Sequence, residues 1–262
     1  MNRIEKKFKK LKAGRKKAFV VFITAGYPSL KTTEKLIMEF AKIGVDIIEL
    51  GVPFSDPMAD GAVIQQSSEA ALKKNVHLVD ILRLVKRVRR YTNIPICLMT
   101  YYNPVFCFGE EKFIGSALAA GVDGVIIPDL PPEEGRPFIR LANQRKLDVI
   151  CFISPTTSDK RLRQILAVSK GFIYYVSLTG VTGPRKALPA DLVSRLKMIK
   201  KLSPKPVCVG FGVSLPAQVR RIYKIADGVI VGSAIVKKIK ENIGKPDLIK
   251  KVSSFVSRLK AS

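Results

Sequence analysis

Two carboxylates stand out among the residues able to do chemistry. Glu49 is the next-to-last residue of the run DIIEL (46–50), and Asp60 lies in the stretch GVPFSDPMADGAVIQ (51–65). A charge inside so apolar a run is costly unless it has a partner or a task. No Lys or Arg occurs between Gly44 and Leu72, so any partner for Glu49 must come from elsewhere in the fold. Desolvation would raise its pKa, which suits a group that donates and accepts a proton near neutrality. A strand-end Glu paired with a neighbouring loop is the plainer alternative. Asp60 precedes Gly61 and reads equally as a helix N-cap or as a catalytic group, whereas Asp56, in SDP, reads as a turn former.

Three glycine-rich segments could hold a phosphate: TGVTGP (179–184), GFGVS (210–214) and VGSAIV (231–236), the last opening a helix at Ser233. Glycine lets backbone N–H groups approach an anion, and a helix N-terminus adds a favourable dipole. The spacing is not GxGxxG, so a dinucleotide is not implied. Metal chemistry is not expected either. His77 is the single histidine, in KKNVHLVD at the apparent start of a helix, where it reads as a surface residue. Cys97, Cys107, Cys151 and Cys208 show no CxxC spacing, and three of them sit in strand-like runs, as buried thiols of a reducing compartment would.

These groups need a scaffold, and the hydrophobic pattern supplies one. Val- and Ile-rich runs recur at 18–24, 46–50, 94–100, 123–128, 148–154, 172–178, 205–210 and 227–231. They are continuously apolar, as parallel strands covered on both faces are. Amphipathic stretches lie between them, including 30–43, 78–91, 110–119, 133–146, 159–168, 189–202, 215–224 and 247–260. Eight strands alternating with helices over about 250 residues is the count of a (β/α)8 TIM barrel; a doubly wound sheet of this length would use fewer. The reading is one domain over 1–262, with an extra N-terminal helix at Ile4–Leu11 whose apolar face caps the barrel bottom. In that fold, chemistry sits on the loops after the strands, and phosphate binds after strands 7 and 8. Glu49, Asp60 and the glycine segments all fall at that rim.

The charge is unusual: 46 Lys and Arg against 21 Asp and Glu, a formal +25. It is densest at residues 3–17 and recurs near 83–90 and 237–251. Because the basic residues alternate with apolar ones at helical spacing, they read as solvated helix faces rather than a nucleic-acid or membrane surface. Such a field would still speed the approach of an anionic substrate. No run approaches the roughly 18 apolar residues of a membrane span, and the basic N-terminus lacks a secretory h-region, so a cytoplasmic location is expected.

ELGVPFSDPMADGAVIQ (49–65) closely resembles the signature of the tryptophan synthase alpha chain family. FITAGYP (22–28), YYNPVF (101–106), PDLPPEE (128–134), SLTGVTGPR (177–185), GFGVSLP (210–216) and VGSAIVK (231–237) resemble it too, in order, across residues 4–259. The resemblance implies a barrel lyase cleaving indole-3-glycerol phosphate to indole and glyceraldehyde 3-phosphate, without a cofactor or metal of its own. It implies Glu49 as the acid/base protonating the indole ring and Asp60 as the partner of the ring N–H. Substrate would contact Phe22, Tyr101, Ile126 and Tyr174 around the indole, and Gly183, Gly212, Gly232 and Ser233 around the phosphate. Loop 177–189 would be a lid, with Thr182 reaching Asp60. The resemblance further implies an α2β2 complex with a beta chain that holds pyridoxal phosphate, touched by loop 53–60 through Pro53 and Asp56. Another sugar-phosphate barrel would share the glycines but not need the carboxylate pair.

Overall fold

The computed structural model describes residues 1–176, 190–210 and 212–261. Among them, nine strands form one sheet: β1 Ala18–Thr24, β2 Ile47–Gly51, β3 Ile96–Met99, β4 Gly124–Ile126, β5 Asp148–Ile150, β6 Phe152–Ile153, β7 Ile173–Val176, β8 Val207–Gly210 and β9 Gly228–Val231. Every pairing is parallel, and the order β5-β4-β3-β2-β1-β9-β8-β7-β6 brings the two halves of one passage, β5 and β6, to the two ends of the list. The sheet is therefore a (β/α)8 barrel whose fifth staple is interrupted by a single residue.

The eight expected runs all form strands; the difference is the break at Cys151. Its N–H donates to the buried hydroxyl of Ser169 (3.1 Å), not to a neighbouring strand. Its carbonyl accepts from Tyr174 N (3.2 Å). Upstream the chain pairs with β4 and downstream with β7, so Cys151 is where it changes partners.

Side chains alternate as a two-faced strand requires. On one face, Val20, Ile47, Cys97, Ile126, Ile150, Tyr174, Cys208 and Ile230 fill the barrel interior. On the other, Phe19, Val21, Ile23, Ile48, Leu50, Val125 and Val229 pack beneath the helices. The expected N-terminal helix spans Arg3–Ala13, with Asn2 accepting from Glu5 N as its N-cap. Its buried Ile4, Phe8 and Leu11 belong to the interior cluster, and Phe8 lies 5.8 Å from the Phe172 ring, so the helix plugs the barrel bottom. His77 is exposed and N-caps the helix Leu78–Val88, where its N–H donates to Asp80.

Three acids sit at that same end. Asp46, Asp123 and Asp227 immediately precede β2, β4 and β9, and accept from the backbone N–H groups of Phe19 (2.9 Å), Ile96 (2.9 Å) and Val207 (3.1 Å). They also pair with cations: Asp46 with Lys7, Asp123 with Arg3 and Arg89, Asp227 with Lys17 and Lys200. Part of the basic N-terminal segment is thus neutralised by acids that finish the strand ladders.

Candidate active site

At the opposite, C-terminal end of the strands the barrel opens into a cavity of about 850 Å³, walled by Phe22, Met99, Phe152, Tyr174 and Ile230 and rimmed by Asp60, Gly212, Gly232 and Ser233. Glycine makes the room. A Cβ on Gly210 would stand 2.6 Å from the Tyr174 ring, and one on Gly51 2.6 Å from Phe22. Among the described residues no Lys or Arg lines the cavity, so an anion there would be held by N–H groups and hydroxyls rather than by cations.

Glu49 lies on β2, in register with Phe22 of β1 and Cys97 of β3. Two positions after the inward-facing Ile47, it shares that face and points into the barrel interior. It is fully buried, and neither carboxylate oxygen has a hydrogen-bond partner. An ionised carboxylate so placed would cost several kcal/mol; burial accordingly pushes its pKa up from 4.5 to about 8. Burial also lifts Cys97, Tyr174 and Cys208 well above their usual range, and the charge of Glu49 adds to the shift in each. By strand register Glu49 lies level with Phe22, which walls the cavity, and with Cys97 in the barrel interior; its own side chain is not among the cavity-lining ones.

Asp60 sits higher, on the loop after β2. The helix Ala62–Leu72 is N-capped by Gly61 with no side-chain capping bond, so Asp60 is not the cap. Its backbone carbonyl accepts from Gln65 Nε2 (2.9 Å), which ties the loop to that helix. The Tyr101 hydroxyl donates to Asp60 Oδ2 (3.2 Å) and accepts from Ala59 N (2.9 Å). Burial raises the Asp60 pKa, partly offset by this hydrogen bond. Tyr101 is itself fixed by a stacked Phe54 ring at 5.2 Å.

At the far wall Gly232 N-caps the helix Ser233–Lys240 and has no capping side chain. The first N–H groups of that helix have no partner within it and point toward the rim. Gly212 adopts φ +56° with no atom within 4 Å of a Cβ position, a backbone left open to a ligand. The sequence-based sites thus divide. Asp60, Phe22, Tyr174, Gly212, Gly232 and Ser233 line one cavity, and Glu49 is buried in the barrel interior level with Phe22. Ile126 is fully buried within the interior cluster rather than on the cavity wall, and Tyr101, also off the wall, hydrogen-bonds Asp60. Thr182, Gly183 and loop 177–189 lie outside the described residues. Of the two partner-contact candidates, Asp56 is exposed but Pro53 is buried.

The family model for the tryptophan synthase alpha chain matches residues 8–262. The chain belongs to that family. Like other tryptophan synthase alpha chains, it is the lyase subunit that cleaves indole-3-glycerol phosphate to indole and glyceraldehyde 3-phosphate in tryptophan biosynthesis. It is 52% identical to the tryptophan synthase alpha chain of Geotalea daltonii over 100% of this chain and 98% of that one, and 49% identical to that of Geobacter sulfurreducens over 99% and 98%. Among solved structures, tryptophan synthase subunit alpha from Legionella pneumophila superposes with a TM-score of 0.93 at 39% identity, covering 100% of this chain and 98% of that chain. A chain of the tryptophan synthase α2β2 complex from Pyrococcus furiosus gives 0.87 at 37% identity, covering 94% of this chain and 98% of that one.

Sequence reading missed several tryptophan synthase cavity residues. Met99 and Phe152 stand two places after the inward-facing Cys97 and Ile150, so strand alternation carried the signal. Met58, Ala59 and Ser154 come from loops, where no period exists to read. Among the described residues, no group of three or more His, Cys, Asp or Glu could hold a metal ion, and no helix is long and apolar enough to cross a membrane.

Proposed function

We propose that Glu49 and Asp60 are the working pair of the lyase reaction. Glu49, entering as the neutral acid, protonates the indole carbon that carries the side chain; that carbon becomes tetrahedral and the ring an indoleninium cation. Asp60, as the carboxylate, hydrogen-bonds the ring N–H and stabilises the positive charge. Glu49, now ionised, takes the proton of the adjacent side-chain hydroxyl as the carbon–carbon bond breaks. The bonding electrons return to the ring, the aldehyde forms, and the proton given up is recovered. Proton transfer and a fixed counter-charge both act most strongly where water is excluded.

The phosphate would lie on Gly212, Gly232 and Ser233, with Gly183 and Thr182 completing the site from 177–189. The indole would lie between Phe22, Tyr174 and Phe152, above Ile126, with Tyr101 holding Asp60. A single domain over 1–262 acts in the cytoplasm without its own cofactor. It assembles with a beta chain, which holds pyridoxal phosphate, as an α2β2 complex. Loop 53–60 makes the contact through Asp56 and the neighbouring Met58, which is 87% exposed.

The observation that carries the reading is the Glu49 carboxyl, buried in the barrel interior level with the cavity-wall residue Phe22, with both oxygens unpartnered. Replacing it by the isosteric amide tests it. Glu49→Gln should slow indole release by at least about a hundredfold while the far-UV spectrum is unchanged, since one positioned acid/base contributes roughly 10²–10⁴. Turnover within tenfold of the wild type removes Glu49 from the chemistry.

A further inference from the structure

The barrel end remote from the cavity holds a second concave site. A groove of about 660 Å³ runs between the N-terminal helix, the turn that follows it, and the segment 203–206 leading into β8. Its apolar surface is Phe8, Leu11, Pro204 and Pro206; its rim is cationic. Asp227, the one carboxylate among the described residues lining the groove, is already shared by Lys17 and Lys200. Lys9, Lys12, Arg15, Lys16 and Lys205 have no acidic partner among the described residues.

The backbone reverses at the groove's edge. The helix ends as Gly14 N and Lys16 N donate back to Lys10 O (3.1 Å) and Leu11 O (2.8 Å), with Arg15 at φ +53° between them. A non-glycine residue in the left-handed region is disfavoured by about 1–2 kcal/mol, so the reversal is held by its surroundings. Lys205 is only partly exposed, and its Nζ donates to Leu166 O. Four of these cations, Lys9, Lys12, Arg15 and Lys16, follow one another along the N-terminal segment, and Lys205 faces them from the segment leading into β8, so five like charges edge one hollow. Like charges held together favour a ligand of opposite sign. The limited volume and apolar floor suit a small amphiphilic anion better than an extended one.

We propose that this groove binds an organic polyphosphate, a ligand with several phosphate charges joined to a planar or apolar group. The cations take the phosphates, and the group lies on Phe8 and Leu11.

Isothermal titration of the full chain with ATP and with inorganic tripolyphosphate tests this, at about 50 mM salt where such contacts are strong. ATP should saturate at one equivalent, with tripolyphosphate binding more weakly at the same site. Combining Lys12→Glu with Arg15→Glu should weaken ATP by at least about tenfold, a loss of about 1.4 kcal/mol. Combining Lys31→Glu with Lys35→Glu, which makes the same change in net charge on an exposed outer helix, should alter it less than twofold. If the glutamate pair does not fold, Lys12→Gln with Arg15→Gln should still weaken ATP while leaving lyase activity intact. Non-saturable ATP binding overturns the proposal. So do an equal loss in both charge-reversed pairs, tripolyphosphate binding as tightly as ATP, and a duplex oligonucleotide that excess ATP does not displace.

Discussion

The Tyr101 hydroxyl bridges the loop that carries Asp60, accepting from Ala59 N at 2.9 Å and donating to Asp60 Oδ2 at 3.2 Å. A carboxylate on a glycine-flanked loop gains a fixed position from one phenol whose ring is stacked on Phe54. Removing the oxygen isolates this contribution. A hydrogen bond to a charged group is worth about 1.5–3 kcal/mol, so Tyr101→Phe should lower kcat/KM roughly ten- to a hundredfold. Steady-state indole release checks it; a loss confined to thermal stability would make Tyr101 merely structural.

With Glu49 as the proposed acid/base, catalysis and stability should both depend on pH. The acid form is needed at the start of the cycle, so kcat/KM should fall as pH rises past about 8, the pKa that burial imposes. The linkage has a fixed sign. The folded value lies above the ordinary 4.5, so the stability due to the neutral carboxyl is complete below 4.5 and lost as pH rises through about 8. Glu49→Gln cannot ionise. Its melting temperature should therefore gain on the wild type across that interval, and a constant difference would contradict the assignment.

Gly210 and Tyr174 share one space. A methyl on Gly210 would lie 2.6 Å from the ring, so Gly210→Ala must displace the aromatic wall over Glu49. Overpacking of this kind costs about 1–3 kcal/mol, and KM for indole-3-glycerol phosphate should rise with it. In a Tyr174→Ala background the same substitution should cost much less. Additive effects would show that the ring moves away freely.

Asp123 anchors the other end. It accepts from Ile96 N and pairs with Arg3 and with Arg89, whose side chain is only 10% exposed. Asp123→Ala would leave a nearly buried guanidinium uncompensated, a loss of about 3–5 kcal/mol. Denaturant unfolding should record that loss while kcat stays near the wild-type value, since the residue lies across the barrel from the cavity.

The architecture was legible because every parallel strand here is covered on both faces and so reads as a solid Val/Ile run. Glu49 was legible for the complementary reason, an acid where only apolar residues are otherwise tolerated. The break at Cys151 was not, because its cause is the hydroxyl of Ser169, eighteen residues away. The helix Tyr102–Phe108 was missed as well; at seven residues it is too short to display a period, and Pro104 within it argues against one. For Asp60 the sequence left cap and catalyst open; the structure removes the cap reading, because Gly61 occupies that position. The acids at the barrel bottom looked like ordinary pre-strand residues, since their partners stand 39 to 210 positions away in Lys7, Arg3 and Lys17.

That last feature bears on how the molecule comes to be made. Lys17 reaches Asp227, and Ala18 N donates to Asp227 O, so the opening segment docks against residues synthesised near the end. Contacts of such long sequence separation form late, after the loops between them have been closed. The first helix to leave the ribosome must therefore wait, its apolar face uncovered, until the final strand arrives to complete the ring. Its dense positive charge would keep nascent chains apart during that wait.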